Sequence, residues 1–372
     1  MTSTFHIDAR DPRTAARAGV LVTAHGEVRT PAFMPVGTRA TVKGMTPETL
    51  AGIGASIVLA NAYHLFLRPG HGLVDRAGGL HAFMNWDRPV LTDSGGFQIF
   101  SLSDTLRVSD EGVEFRSVVD GTTHAWTPEE NMAIQEALGA DVAMVLDVCP
   151  PYPAEESVVA RAVRRSASWA ARCKAAHASP DQLLFGIVQG GLYPHLRAES
   201  VERTAGIGFS GYGIGGYSVG EPHDRMLESL EPVAAALPSD APRYLMGVGS
   251  PTTMLRAAAL GVDLFDSVLP TRTARLGTAL TSRGRMNMRN ARWADDLAPL
   301  DVACSCPACA GFSRAYIRHL VNAKEMLGAI LLTTHNLWFL SHLMERAREA
   351  VLGGRYGVFL REWLEGPGAE DF

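Results

Sequence analysis

Seven apolar, β-rich runs recur along the chain with helical patterns between them. They are SIVLANAY (56–63), PVLTDSGG (89–96), VAMVLDV (142–148), LFGIVQGG (184–191), GYGIGGY (211–217), RYLMGVGS (243–250) and VDLFDSVL (262–269). Strands that are apolar on both faces and spaced by helices belong to parallel sheets, whose faces the helices cover. With one weaker strand near the N-terminus, the pattern predicts an α/β chain folded as a (β/α)8 TIM-type barrel with insertions. A doubly wound open sheet is the competing architecture. The barrel is favoured by where the chemically useful side chains fall. Asp93, Asp147, Gln189, Gly216, Met246 and Asp266 each stand at the C-terminal end of a different run, and in a barrel those ends converge on one mouth. Between the strands, PEENMAIQEALG, AEESVVARAVRRSASWAARCKAA and PTTMLRAAALG read as helices. Pro128 and Pro251 suit first-turn positions there, with Thr127 and Ser250 as N-caps.

A chain of 372 residues, 47% hydrophobic, can bury a large core. The N-terminus lacks the apolar centre of a secretory signal. MLGAILLTTHNLWFLSHLM (326–344) is the strongest membrane candidate, but Thr333, Thr334, His335 and Asn336 interrupt it at mid-depth, where polar groups are costly. It reads as a buried helix, and no membrane partner is expected. Three of the five cysteines are clustered, which argues against a disulfide scaffold. The expected compartment is the cytoplasm.

The clustered thiols are Cys304, Cys306 and Cys309, spaced C-x-C-x-x-C. Grouped thiolates suit tetrahedral Zn2+, which needs a fourth ligand. His319 and His335 are the nearest histidines downstream. His319 lies in the Arg-rich stretch SRAYIRHL, whereas His335 lies on the apolar segment, an odd place for an unpartnered imidazole. The expected set is Cys304, Cys306, Cys309 and His335. Four protein ligands leave no open position, so one structural zinc per chain is expected.

Beside this cluster, Ser267 to Ala294 contains no acidic residue while carrying Arg272, Arg275, Arg283, Arg285, Arg289 and Arg292. A one-sign patch in a chain of net charge −5 is the footprint expected of a phosphate-backbone partner. Two carboxylates stand out at the strand ends. Asp93 is followed by Ser94-Gly95-Gly96, and Asp266 ends VDLFD. A carboxylate pair across a mouth suits attack at an anomeric carbon, one as nucleophile or stabiliser and the other as general acid and base. Asp263, three residues earlier, points to the other face and is expected to be structural.

Two glycine patterns invite other readings. Gly211 to Gly216 matches G-x-G-x-x-G, but these glycines form a strand instead of opening a helix. Gly216-Tyr217-Ser218-Val219-Gly220 matches G-x-S-x-G, the nucleophile elbow of hydrolases, yet no HGGG-like stretch precedes it and Glu221-Pro222 stands where the elbow helix should continue. Both patterns have a plainer use, bringing backbone close to a flat ligand.

The stretches HGEVRTPAFMPVGTRATVKGMTPE, NAYHLFLRPG, LTDSGGFQIFSL, FGIVQGG, YLMGVGSP, FDSVLPTRTARLG, SRGRMNMRNAR and CSCPAC with His335 together resemble the bacterial tRNA-guanine transglycosylase (queuine tRNA-ribosyltransferase) family over nearly the whole length. The resemblance implies one catalytic domain spanning 1–372, with a basic, tRNA-contacting and zinc-binding subdomain at 270–345. It implies exchange of the wobble guanine of tRNAs with GUN anticodons (Asp, Asn, His and Tyr type) for 7-aminomethyl-7-deazaguanine, on the route to queuosine. By position, Asp266 is the nucleophile that forms a covalent link to the ribose. Asp93 handles protons and touches the base. Asp147, Gln189 and the Gly216 backbone bind the purine edge, and Phe97 and Met246 sandwich the ring. The six arginines grip tRNA. A homodimer is implied, with Lys43, Tyr316 and His319 at the contact. With no RNA-binding appendage after residue 372, the bacterial branch is expected. Phe97, Tyr217 and Val148 depart from the residues expected in the family (Tyr, Leu and Glu), and the last two bear on the substituent at the 7-position. Val219 is the bacterial-type residue.

Overall fold

The computed structural model describes residues 4–102 and 106–369. Eight parallel strands close into a barrel, labelled here β1 (Ala32–Gly37), β2 (Val58–Asn61), β3 (Val90–Asp93), β4 (Val142–Met144), β5 (Leu183–Val188), β6 (Gly211–Ile214), β7 (Arg243–Leu245) and β8 (Leu264–Ser267). They pair in chain order, and β8 closes on β1 through Leu264–Ala32, Phe265–Phe33, Asp266–Met34 and Ser267–Pro35. The predicted barrel is therefore the observed one, and the weak N-terminal strand is AFMPVG, buried throughout.

Each strand is shorter than the apolar run that announced it. The 142–148 run pairs only over Val142–Met144, and the 243–250 run only over Arg243–Leu245. The remaining residues, Asp147 and Gly247 among them, lie in the loops after the strands, where the chain leaves the sheet to form the mouth. Helices follow as expected. Thr127 caps Pro128–Leu138 by accepting from the Glu130 N–H, and Pro251 opens Pro251–Ala259.

Three antiparallel additions were not legible as strands. One sheet (Phe5–Arg10, Arg17–Thr23, Gly26–Thr30) precedes the barrel. Its Arg17 bonds Asp263 through Nε at 2.9 Å and Nη2 at 2.5 Å. Both side chains are fully buried, and Asp263 also accepts from the Arg243 N–H at 2.7 Å. A second sheet (Leu106–Val108, Val113–Arg116, Thr123–Trp126) fills the connection between β3 and β4. The third is the hairpin Thr278–Thr281 and Gly284–Asn287.

After β8, the chain builds a second small core from Ala274, Ala279, Met286, Met288, Leu300, Ile317, Leu332 and the metal-type cysteines. The helix Met326–Leu352 joins this core to the barrel. Its polar interruption has partners. Asn336 Nδ2 donates to the carbonyls of Pro270 and Thr278 at 3.0 Å, and its Oδ1 accepts from the Leu280 N–H at 2.8 Å. The mid-helix polar residues thus tie the helix to the hairpin, and no helix among the described residues is long and apolar enough to cross a membrane.

Candidate active site

The barrel strand ends converge on a cavity of about 490 Å³. Asp93, Phe97, Asp147, Gln189, Gly216, Met246 and Asp266 all line it, with Arg272 at its edge. Cavities of this size hold small flat ligands.

Asp93 ends β3, and three donors converge on its carboxylate. The Ala62 N–H donates to Oδ1 at 3.0 Å, the Asn61 amide donates to Oδ2, and the Gly95 N–H also donates. Asn61 is held in turn because its Oδ1 caps the next helix through the His64 N–H. Burial pushes the Asp93 carboxyl up to about 7, and the Asp266 charge adds to the rise, against the pull of the three donors. A carboxyl near 7 can hold or release a proton at neutral pH.

Asp266 lies within β8. Tyr244 Oη and the Gly247 N–H both donate to its Oδ1 at 2.6 Å. Burial raises this carboxyl as well, while those two donors favour its ionised form. Tyr244 is pushed well above its ordinary value by burial and then by the Asp266 charge, so its phenol stays a donor.

Across the floor, Asp147 accepts from Ser94 Oγ at 2.9 Å and from Gln189 Nε2 at 2.6 Å. Gln189 Oε1 is buried without a hydrogen-bond partner. This edge therefore presents carboxylate and amide acceptors beside a backbone N–H, that of Gly216, which faces Cys149 Sγ. The pattern complements the edge of a 2-amino-6-oxopurine, which carries N1–H and amino donors and one oxo acceptor. Two glycines are required by close approach. A Cβ on Gly96 would lie 2.8 Å from the Asp147 carbonyl, and one on Gly216, at φ +71°, would lie 2.3 Å from Gln189 Oε1. Phe97 is 50% exposed on the open side of the cavity. Cys149 also lines it, but burial and the Asp147 charge push its thiol up to about 12, which leaves a neutral wall and no nucleophile.

Of the expected departures, Tyr217 lines this cavity, whereas Val148 lines an adjoining apolar cavity of about 600 Å³ that shares Phe97, Cys149 and Val219 as its wall. The G-x-S-x-G serine, Ser218, has φ +57°. Its N–H is held by Glu221 Oε1 at 2.5 Å, and the next helix begins only at His223, so the strand–turn–helix of a hydrolase elbow is absent here. The residues missed from sequence are the supporting ones: Asn61, Ser94 and Tyr244. Tyr244 had a signal, two residues before Met246 in the same apolar run, but its partner Asp266 belongs to the neighbouring strand.

The metal-type residues gather away from the cavity. His335 Nδ1 lies 3.5 Å from Cys304 Sγ, 3.5 Å from Cys306 Sγ and 3.3 Å from Cys309 Sγ. A tetrahedron with zinc–ligand bonds of about 2.3 Å to sulfur and about 2.05 Å to nitrogen has an S···N edge of about 3.6 Å, so the donors fit the ion. His335 Nε2 bonds the Leu280 carbonyl at 2.8 Å. That contact places the ring proton on Nε2 and leaves Nδ1 free as a ligand. His319 is exposed and outside the cluster. A second group, His25, His81 and Asp141, is organised differently. The rings stack at 3.5 Å and 13°, and each donates to one Asp141 oxygen. Parallel rings send their lone pairs side by side and not to one point, and each carboxylate oxygen also takes a backbone N–H. This is a buried carboxylate clamp.

All six arginines, Arg272, Arg275, Arg283, Arg285, Arg289 and Arg292, are exposed. They continue from the cavity edge along the hairpin to Trp293, on whose ring Arg292 stacks at 4.2 Å.

The family model described as "Queuine tRNA-ribosyltransferase" matches residues 11–368. The chain is 53% identical over 359 residues to a queuine tRNA-ribosyltransferase of Desulforamulus reducens, covering 96% of this chain and 97% of the relative. It is 55% identical over 362 residues to one of Moorella thermoacetica, covering 97% of each. To one of Halothermothrix orenii it is 54% identical over 364 residues, covering 98% of each.

Proposed function

The chain belongs to the queuine tRNA-ribosyltransferase family, and on that premise we propose that it is the tRNA-guanine transglycosylase that exchanges the wobble guanine of GUN-anticodon tRNAs for 7-aminomethyl-7-deazaguanine. It is an enzyme, a pentosyltransferase of queuosine synthesis. The observation that carries the finer reading is the placing of Asp93 and Asp266 in one cavity with a purine-complementary edge between them.

Asp266 is the nucleophile. Its Oδ1 is taken by Tyr244 and Gly247, which leaves Oδ2 to attack ribose C1′ as the C1′–N9 bond breaks. Asp93 supplies the proton that the leaving guanine takes up. It then removes one from the incoming base, which attacks C1′ and releases the Asp266 carboxylate. Asp147, Gln189 and the Gly216 backbone hold the base edge, and Phe97 and Met246 cover its faces, excluding water from the glycosyl intermediate. Tyr217 stands on the cavity wall and Val148 behind it, so Tyr217 is the departure that touches the 7-substituent.

Cys304, Cys306, Cys309 and His335 hold one structural Zn2+. Such an ion ties the loop, the hairpin through Leu280 and the long helix into one subdomain, 270–345, that presents the six arginines to tRNA phosphates. The chain works as a homodimer in the cytoplasm, where its tRNA partner is. The apolar surface that supports a dimer is Tyr316, Met326 (82% exposed), Leu327 and Ile330, and Ile330 lies under Gly44 beside Lys43.

The test is incorporation of labelled guanine into unmodified GUN-anticodon tRNA by wild type and Asp266→Asn. Incorporation by wild type alone supports the reaction and its nucleophile. Normal turnover by Asp266→Asn removes Asp266 from that role.

A further inference from the structure

Arg197, on the helix Pro194–Ala205, is 1% exposed, yet among the described residues its guanidinium is hydrogen-bonded to no carboxylate, although the Glu221 charge acts on it. Burying a cation without a directly bonded counter-charge is costly, so its partners should reveal its use. They are backbone carbonyls from two strand ends. Nε donates to the Gly191 carbonyl at 2.8 Å, and Nη1 donates to those of Gly215 at 2.7 Å and Val188 at 3.4 Å. Nη2 donates to that of Gly216 at 3.3 Å. Val188 and Gly191 bracket Gln189, and Gly215 and Gly216 form the turn after β6. The Tyr217 ring closes the arrangement, its centroid 3.8 Å from the guanidinium carbon, and its hydroxyl is tied to Ser229 Oγ at 2.8 Å. Cation–π contact of this kind stabilises a desolvated guanidinium.

The Gly215–Gly216 peptide is trans, so its C=O and N–H point in opposite directions. Drawing the Gly215 carbonyl back to Arg197 turns the Gly216 N–H the other way, towards Cys149 Sγ on the cavity wall. The planar fork of arginine holds both strand ends in one fixed geometry, which a compact ammonium on a flexible stem does less well. We propose that Arg197 is a positioning residue for base recognition, aiming the Gly216 N–H at the 6-oxo oxygen of the purine, with the Tyr217 ring holding its guanidinium in place. The inference rests on the base-exchange reading and names what sets its selectivity.

The experiment is labelled-guanine exchange into tRNA by wild type, Arg197→Met, Arg197→Lys and Tyr217→Leu, with 2-aminopurine as inhibitor. This probe has hydrogen where guanine has the 6-oxo oxygen. Arg197→Met should raise the KM for guanine about tenfold, the worth of one well-made hydrogen bond, with kcat within about threefold and the 2-aminopurine Ki little changed. Arg197→Lys should fall between, and Tyr217→Leu should raise the same KM by a few-fold. An unchanged guanine KM, or equal weakening of guanine and 2-aminopurine, overturns the proposal. Should Arg197→Met not fold, Arg197→Lys is judged by the same two outcomes. Absence of exchange by wild type would instead remove the base-exchange reading itself.

Discussion

Tyr244 and Asp266, on adjacent strands β7 and β8, share a 2.6 Å hydrogen bond in which the phenol donates to Oδ1. With the Gly247 N–H on the same oxygen, one face of the carboxylate is fixed and the other is left to the cavity. The ionised form of Asp266 is thereby favoured against the burial that raises it.

Removing the phenol should therefore be read most clearly in acid. Tyr244→Phe takes away a donor to the ionised carboxylate, so the Asp266 carboxyl should rise further. The ionised fraction falls as pH drops through that value, so the acid limb of the exchange rate should move to higher pH. A pH profile of guanine exchange checks this, and an unmoved acid limb would separate Tyr244 from the nucleophile.

Asp93 should titrate near 7 in the free protein. Carbon-13 NMR of labelled aspartate carboxyls, compared with an Asp93→Asn control, would identify its resonance. In Asp266→Asn the like charge is gone, so the Asp93 midpoint should fall. A midpoint near 4 in wild type would contradict the burial argument.

The Arg17–Asp263 pair lies outside the chemistry, and breaking it should cost stability alone. Arg17→Met leaves the buried Asp263 carboxylate without its paired guanidinium and should destabilise the chain by about 3–5 kcal/mol. The double variant Arg17→Met with Asp263→Leu should recover much of that loss. Urea unfolding gives the difference, and exchange per folded molecule should stay near wild type for both.

Metal content should be about one zinc per chain. Cys306→Ala with His335→Ala should abolish it, as measured by elemental analysis, and unchanged content would refute the ligand set. Chelation should weaken tRNA binding more than it lowers the melting temperature of the barrel, because the hairpin hangs on His335 through Leu280, whereas the barrel has its own core.

Arg289→Ala should lower the slope of log affinity for tRNA against log salt by about 1, the share of one phosphate contact. Fluorescence anisotropy across a salt series measures it. A slope equal to wild type would place Arg289 off the RNA path.

The sequence by itself determined the barrel and most of the cavity lining. Fully buried parallel strands must be apolar on both faces, so each wrote itself as a run, and the polar residues at the ends of four of them, Asp93, Asp147, Gln189 and Asp266, had only the mouth to occupy. It also marked the metal-type cluster, since thiols at C-x-C-x-x-C spacing and one imidazole on an apolar helix are anomalous without a partner. Tertiary structure alone decided which groups meet across strands and loops. Asp266 with Tyr244, Asp147 with Ser94 and Gln189, and Arg197 with the Gly215 carbonyl are contacts between residues separated by 18 to 53 positions. Hydrogen bonds depend on distance and direction in space. No local pattern encodes them, because a tyrosine or arginine placed to orient a neighbour looks in sequence like any other core residue.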